Sequence, residues 1–455
     1  MTSARPNIIL INCDDLGYGD LGCYGSEVNK TPALDRMAEE GMRFTDFYQA
    51  SAVCSPSRGA MLTGCYPRRI GFGSFEGRWV LFPGQEVGLN QEEKTVASLL
   101  KEQGYATMLV GKWHCGDQPE FLPTRHGFDH YYGIPYSNDM GRQAGREHYP
   151  PLPLMDDDAV IQEQPDQASI TERYVERSVR FIRENRGQPF FLYFAHMYVH
   201  LPLYAPQRFL RQSENGSYGA AVECIDWAAS VLFDEIKELG LDENTLIVFT
   251  SDNGSRGRDE GGSNAPLRGG KGSTWEGGQR LPCIMRWPGK IPAGTECNEM
   301  TLSMDFLPTF AGLAGSDVPD DRIIDGKSIL PLMSGEEEAT TQHDSFFYYY
   351  KDDIQAVRSG NWKLHIRRRD DEVVELYDLA SDIGEAEDVH DQHPDVVECL
   401  LSKIQSCRED IGDGAADMEG ANCRPVGRVE NADTLTHYDP DHPYIVAMYD
   451  IEDSG

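Results

Sequence analysis

Asp14 and Asp15 stand side by side behind an apolar run, and Asp252-Asn253 stand behind another. A hard divalent cation takes several oxygen ligands, and three carboxylates with one amide oxygen supply them. Calcium tolerates such an irregular set better than magnesium, so calcium is the expected ion and magnesium the second choice. Cys13 beside Asp14 raises zinc, but no Cys/His spacing supports it. Taken singly, the Asp-Asp-Leu-Gly and Ser-Asp-Asn-Gly stretches are also ordinary turn sequences. Cys54-Ser55-Pro56-Ser57-Arg58 adds a thiol with an arginine four residues on, followed by Leu62-Thr63-Gly64. Lys112 and His114 pair a cation with a side chain that titrates near neutral pH. His200 precedes Leu201-Pro202, with His196 as its nearest rival, and Lys271 lies in a Gly-rich run. That run lacks the spacing and the preceding strand of a phosphate loop.

The elements that must position these residues alternate in type. Residues 7–13, 42–48, 105–110, 189–195 and 245–250 read as strands, and 31–40, 57–63, 95–103 and 218–239 as helices. Thr31 is the expected N-cap of the first helix, with Pro32 at its first position. The alternation predicts an α/β fold with a large, mostly parallel central sheet flanked by helices. Chemistry in such sheets gathers at the carboxyl ends of strands, where Asp14, Lys112, His200 and Asp252 all fall. From about residue 342 the texture changes to short strands at 345–350, 355–359, 362–367 and 373–377, then a helix at 395–407. This predicts a catalytic domain over 1–341 and a smaller antiparallel subdomain over 342–455 with an irregular tail.

The 455 residues include 41 Lys+Arg against 75 Asp+Glu, a formal charge of −34. Such a chain repels nucleic acid and anionic membranes, so neither is an expected partner. An anionic substrate then needs a local positive island built from named side chains. No apolar run is long enough to span a membrane, and the short run after Met1 is no signal peptide, so a cytoplasmic location is expected unless a periplasmic or secreted form has lost its leader. The odd count of 11 Cys argues for reduced thiols.

The Cys54 segment with its Leu-Thr-Gly extension resembles the signature of the formylglycine-dependent (type I) sulfatases, arylsulfatase A-like branch, within the alkaline-phosphatase-like superfamily. Further matching blocks are Asp14 to Gly22, Gly111 to His114, Gly133 to Ser137, Ser251 to Gly254 and Pro266 to Gly278, in the family's order. The resemblance implies that a formylglycine-generating enzyme oxidises Cys54 to an aldehyde, whose hydrate attacks sulfur. It implies that Asp14, Asp15, Asp252, Asn253 and modified Cys54 hold the cation, that Arg58 steadies the nucleophile, and that Lys112 and Lys271 bind sulfate oxygens. His200 is then a general acid or substrate binder, His114 the base that expels sulfate, and Ser137 a further substrate contact. The implied substrate is a small-molecule or saccharide sulfate ester. A carbohydrate is favoured by basic and aromatic side chains on Gly-rich rim loops, Arg78 and Trp79 among them. A phosphonate or phosphate ester hydrolase on the same scaffold is the alternative, and a non-catalytic calcium-stabilised binding protein is a third reading.

Overall fold

The computed structural model describes residues 5–143, 145–439 and 441; the remainder of the expected tail lies outside the described residues. An 11-stranded sheet forms the centre. Across it the strands run Thr295–Cys297, Met42–Tyr48, Arg280–Arg286, Thr245–Ser251, Asn7–Cys13, Phe190–Ala195, Ala106–Lys112, His130–Ile134, Pro153–Asp156 and Ala159–Glu163; Thr301–Leu302 also pairs with Met42–Tyr48. From Thr245–Ser251 to His130–Ile134 every neighbouring pair is parallel.

Asn7–Cys13 shows why the sheet is sandwiched. Ile8 and Leu10 enter one core with Met61, Leu62, Leu100 and Phe306; Ile9, Ile11 and Cys13 enter the other with Leu34, Tyr174, Ile225 and Leu232. Successive side chains leave a strand on opposite faces, so a strand apolar at every position needs cover on both. The helices Pro32–Glu39, Ile170–Asn185 and Gly216–Glu238 cover one face, and Cys54–Thr63, Val96–Glu102 and Phe306–Ala314 the other.

The second sheet is antiparallel, Phe346–Tyr350, Asp353–Ser359, Trp362–Arg368 and Asp371–Asp378 in order. Helix Pro394–Asp410 lies on it through Leu400, Ile404 and Cys407, and the same apolar cluster takes in Tyr48, Ala60 and Met304 from beside the large sheet.

Two boundaries correct the sequence reading. The helix expected from Ser57 begins at Cys54. Pro56 falls in its first turn, where the missing N–H has no intrahelical acceptor anyway, so the proline does not delay the helix. The strand expected to end at Val110 runs on through Lys112. Gly111 allows this: at φ 115, a Cβ there would lie 1.9 Å from the Ala195 carbonyl oxygen of the next strand. Of the 412–455 tail, Gly427–Arg428 pairs with Val87–Gly88.

Candidate active site

The parallel register assembles the site. Cys13 pairs with Ser251 on the adjacent strand, so the residues that follow, Asp14-Asp15 and Asp252-Asn253, leave the sheet side by side. The Asp252 N–H donates to the Cys13 carbonyl at 3.0 Å. Asp15 then takes a left-handed backbone, φ 63, uncommon for a residue with a side chain. Lys112 ends the strand two places along the sheet, and the Cys54–Thr63 helix presents its first residue to the same point.

The geometry is that of a buried ionic cluster. Arg58 Nε donates to Asp252 Oδ2 at 2.8 Å, and its Nη1 holds the Lys112 carbonyl at 2.7 Å. The Lys112 ammonium donates to Asp14 Oδ2 and lies 3.3 Å from Ser137 Oγ. Lys271 Nζ stands 2.7 Å from Asp15 Oδ1, and Asn253 Nδ2 donates to the same oxygen at 2.8 Å. Cys54 Sγ lies between, 3.4 Å from Asp14 Oδ1 and 3.6 Å from Lys271 Nζ. His200 Nε2 is 3.8 Å from Asp15 Oδ2, and its Nδ1 donates to the Leu201 carbonyl at 2.6 Å. Arg58, Lys112, Asp14, Asp252 and Asn253 have no exposed surface, while the Lys271 side chain is 14% exposed and marks the open side.

Charges are tuned accordingly. Burial alone pushes the Asp14 carboxyl up, but the Lys112 ammonium, helped by His200, Arg58 and Lys271, holds it well below the usual range. Burial and neighbouring Asp14 push Asp252 up, against Arg58. Burial, then Asp14, raise the Cys54 thiol, so it is kept protonated. Lys271 is raised despite burial, chiefly by Asp15. Burial, with Lys112 and Arg58, pushes His114 well below its ordinary value, and burial with Lys271 lowers His200.

The donor set fits a hard cation. Ligand atoms of Asp14, Asp15, Cys54 and His200 lie within 4.8 Å of one another. Asn253 Oδ1 is buried without a hydrogen-bond partner, as an amide oxygen reserved for a cation would be.

Asp14, Asp15, Cys54, Arg58, Lys112, Ser137, His200, Asp252, Asn253 and Lys271 thus meet at this centre; His114 feels the charges of Lys112 and Arg58, its Nε2 donates to the Leu81 carbonyl at 3.0 Å and its buried Nδ1 has no partner. That carbonyl fixes which nitrogen is the acceptor, and no sequence signal marks it, because any residue at 81 supplies the same oxygen. His196 is excluded from the centre: Thr171 and the Tyr198 N–H occupy its two nitrogens. Glu276 lies in a separate network, its oxygens held by Tyr48, Tyr348, Lys363 and Arg280.

The sequence profile of the sulfatase family matches residues 6–316, and that of the N-sulphoglucosamine sulphohydrolase C-terminal region matches residues 270–410. Arylsulfatase A of Homo sapiens is 40% identical over 79% of this chain and 74% of its own length. N-acetylgalactosamine-6-sulfatase of Canis lupus familiaris is 41% identical over 79% of this chain and 71% of its own. The crystal structure of Ps i-CgsB in complex with k-i-k-neocarrahexaose superposes with a TM-score of 0.79 at 30% identity, covering 92% of this chain and 95% of that one. Family membership generally brings a metal ion and a formylglycine residue with it. With the strand-end carboxylates, the buried cysteine and the paired lysines in place, the chain belongs to the sulfatase family, a sulfuric ester hydrolase on the alkaline-phosphatase-like fold.

Proposed function

We propose that this chain hydrolyses a sulfate monoester carried by a carbohydrate, with Cys54 oxidised to formylglycine and one calcium ion held by Asp14, Asp15, Asp252, Asn253 and residue 54. The observation that carries this reading is the position of Cys54 Sγ, at a helix N-terminus between Asp14 and Lys271. A thiol kept protonated by burial is a poor nucleophile, which argues that the residue works after conversion rather than as a thiolate. Because Cys54 is only 1% exposed, its oxidation by a formylglycine-generating enzyme acts on the chain before it folds.

Hydrated formylglycine would supply an oxygen nucleophile for sulfur, and a bound calcium ion would favour its ionised form. The protein's own residues do the rest. Lys112 and Lys271 offset the charge of the sulfate oxygens, and both are held cationic by the carboxylates beside them. Arg58, locked by Asp252 and the Lys112 carbonyl, places a fixed positive charge behind residue 54. His200, its Nδ1 proton committed to the Leu201 carbonyl, turns Nε2 toward the ester; it gives a proton to the leaving oxygen only from the imidazolium form, which burial and Lys271 disfavour, and in the neutral form it binds substrate as an acceptor. His114 Nδ1 is the acceptor for the proton released when sulfate is expelled, since its Nε2 is committed to Leu81. Ser137 Oγ, near Lys112 and 3.5 Å from His200, adds a contact to the ester.

The saccharide assignment is supported by the hexaose in the Ps i-CgsB complex and by the sugar named for the 41% identical relative. The test is the mass of the Cys54 peptide from protein co-expressed with a formylglycine-generating enzyme, followed by paired sulfate and phosphate esters. An aldehyde or hydrate mass with turnover favouring sulfate is expected. An unmodified thiol, beside a control sulfatase matured in the same cells, rejects the mechanism; preference for the phosphate esters rejects the sulfate reading in favour of the phosphate or phosphonate one.

A further inference from the structure

Gly272, Ser273 and Thr274 follow Lys271 directly and form one wall of a cavity of about 250 Å³, room for a single sugar ring. Its other wall is the small antiparallel sheet. The cavity opens beside the candidate active site. Gly272 N–H donates to the Ala52 carbonyl at 2.9 Å, two residues before Cys54. A Cβ at Gly272 would meet only Trp79, at 3.8 Å, and the Trp79 ring lies 4.2 Å from that of Tyr350 on the far wall.

The lining has the chemistry of a site. The Arg368 guanidinium stacks 4.2 Å over Trp275 and pairs with Glu375, yet its Nε is buried without a partner. His365, 1% exposed, engages Glu385 through Nε2 at 3.0 Å, which leaves Nδ1 as a buried acceptor with no partner. Both residues line the cavity, and buried polar atoms without partners are rare in folded proteins. Arg369 is exposed 5.8 Å from the Tyr350 ring, and among the described residues no carboxylate pairs with it. Arg369 is followed by Asp370, Asp371 and Glu372, so it is this absence of an ion pair on its guanidinium, rather than the net charge of the segment, that leaves it available to an anion.

We propose that this cavity is a second saccharide subsite. It takes the ring joined to the one that carries the scissile sulfate and reads an acidic substituent there through Arg368 and Arg369. Planar guanidiniums suit sulfate and carboxylate equally, since both accept two parallel N–H bonds. The aromatic edge of Trp79 and Tyr350 gives the sugar an apolar surface. The proposal rests on the reading of Lys271 and Cys54 as the sulfate centre.

The experiment takes the matured full chain and compares 4-nitrophenyl sulfate with sulfated oligosaccharides whose neighbouring ring carries sulfate, carboxylate or neither. Arg369→Gln and Arg368→Gln are expected to raise KM about tenfold on the acidic oligosaccharides, the scale of one charge-assisted hydrogen bond. The aryl ester and the neutral oligosaccharide should be unaffected, with kcat unchanged. The sulfate and carboxylate arms show which acid is read. Equal losses on the aryl ester, or an unchanged KM on every acidic oligosaccharide, overturn the subsite while leaving the sulfatase centre intact. Should the matured wild type cleave no ester, the functional reading falls separately, and calorimetric titration of the same oligosaccharides still decides. Preference for acidic neighbours lost in Arg369→Gln supports the subsite, and equal binding to wild type and variant removes it. Arg369 is exposed, so its variant folds even where Arg368→Gln does not.

Discussion

Two buried ionic clusters sit in this molecule, and they are built to opposite ends. Around Glu276, Lys363 reaches both Glu276 and Glu385 at 2.9 Å, and the Tyr348 hydroxyl donates to Glu276 at 2.6 Å. Arg280 and Arg358 each pair with Asp46. Every Glu276 oxygen has partners, and the network ties the large sheet to the small one. Around Cys54 the charges also pair, but Asn253 Oδ1 and His114 Nδ1 are left over, and the thiol that the proposed mechanism converts lies in the middle. A closed network holds structure; an open one holds places for a ligand and a proton. At their centres, partner satisfaction rather than burial or charge separates the two: Glu276 is saturated, and the unpartnered His365 Nδ1 lies at the edge of its network, beyond Glu385.

The largest expected effect comes from the open cluster. Cys54→Ala should lower turnover by on the order of 10⁴-fold or more, as loss of a nucleophile does elsewhere, while thermal unfolding stays close to wild type. Turnover surviving in this variant would erase the distinction between the clusters. The closed cluster should respond in the other sense. Glu276→Gln leaves Lys363 and Arg280 short of a buried counter-charge and should cost ~3 kcal/mol of stability, read as a lower urea midpoint. Activity per folded molecule should hold. A variant that loses activity but not stability would place Glu276 with the chemistry instead.

How much of this the sequence discloses follows from the same contrast. The central strands are legible because a strand buried on both faces is apolar throughout, as Ile8 to Ile11 show. Strand-end residues are legible because a parallel sheet delivers them to one edge. Arg280–Arg286 escapes because it carries two arginines and Pro282, which the fold accepts at a register shift between Leu281 and Cys283. Pro153–Asp156 and Ala159–Glu163 add antiparallel strands at the sheet margin, where exposed polar residues erase the pattern. Ile170–Asn185 shows apolar residues at helical spacing, Ile170, Tyr174, Val175, Phe181 and Ile182, so this helix carries its own signal in the chain. The closed cluster is illegible: nothing in a linear chain pairs Lys363 with Glu276 across 87 residues. The subsite cavity shares that property, because its two walls come from the Lys271 loop and the small sheet.

Removing divalent cations sharpens the comparison next. A ligand bound only by the folded state adds about 2.7 kcal/mol at one hundred times its Kd. Calcium at that level should raise the melting temperature of chelator-treated protein, and magnesium should do so less. Asp15→Asn should abolish the calcium effect; Glu276→Gln should keep it, from its lower baseline. A melting temperature indifferent to calcium would remove the cation from the open cluster.

The smallest effect concerns His196, which belongs to neither cluster. The Tyr198 N–H donates to its Nδ1 at 3.2 Å, so Nε2 carries the proton toward Thr171 at 3.0 Å. A second proton on Nδ1 would point at another N–H, and burial pushes the imidazole down to about 4. An unfolded histidine titrates near 6.5. Between those values the unfolded chain binds the extra proton and the folded chain does not, so this residue's stabilising contribution is complete above pH 6.5 and is lost as pH falls toward 4. The slope is at most about 1.4 kcal/mol per pH unit. His196→Gln should flatten the stability profile in that window and leave the pH dependence of turnover, which the proposed mechanism assigns to His200 and His114, where it was. Were the turnover profile to move instead, His196 would have to be counted with the open cluster, and the division by partner satisfaction would fail at its most finely balanced residue.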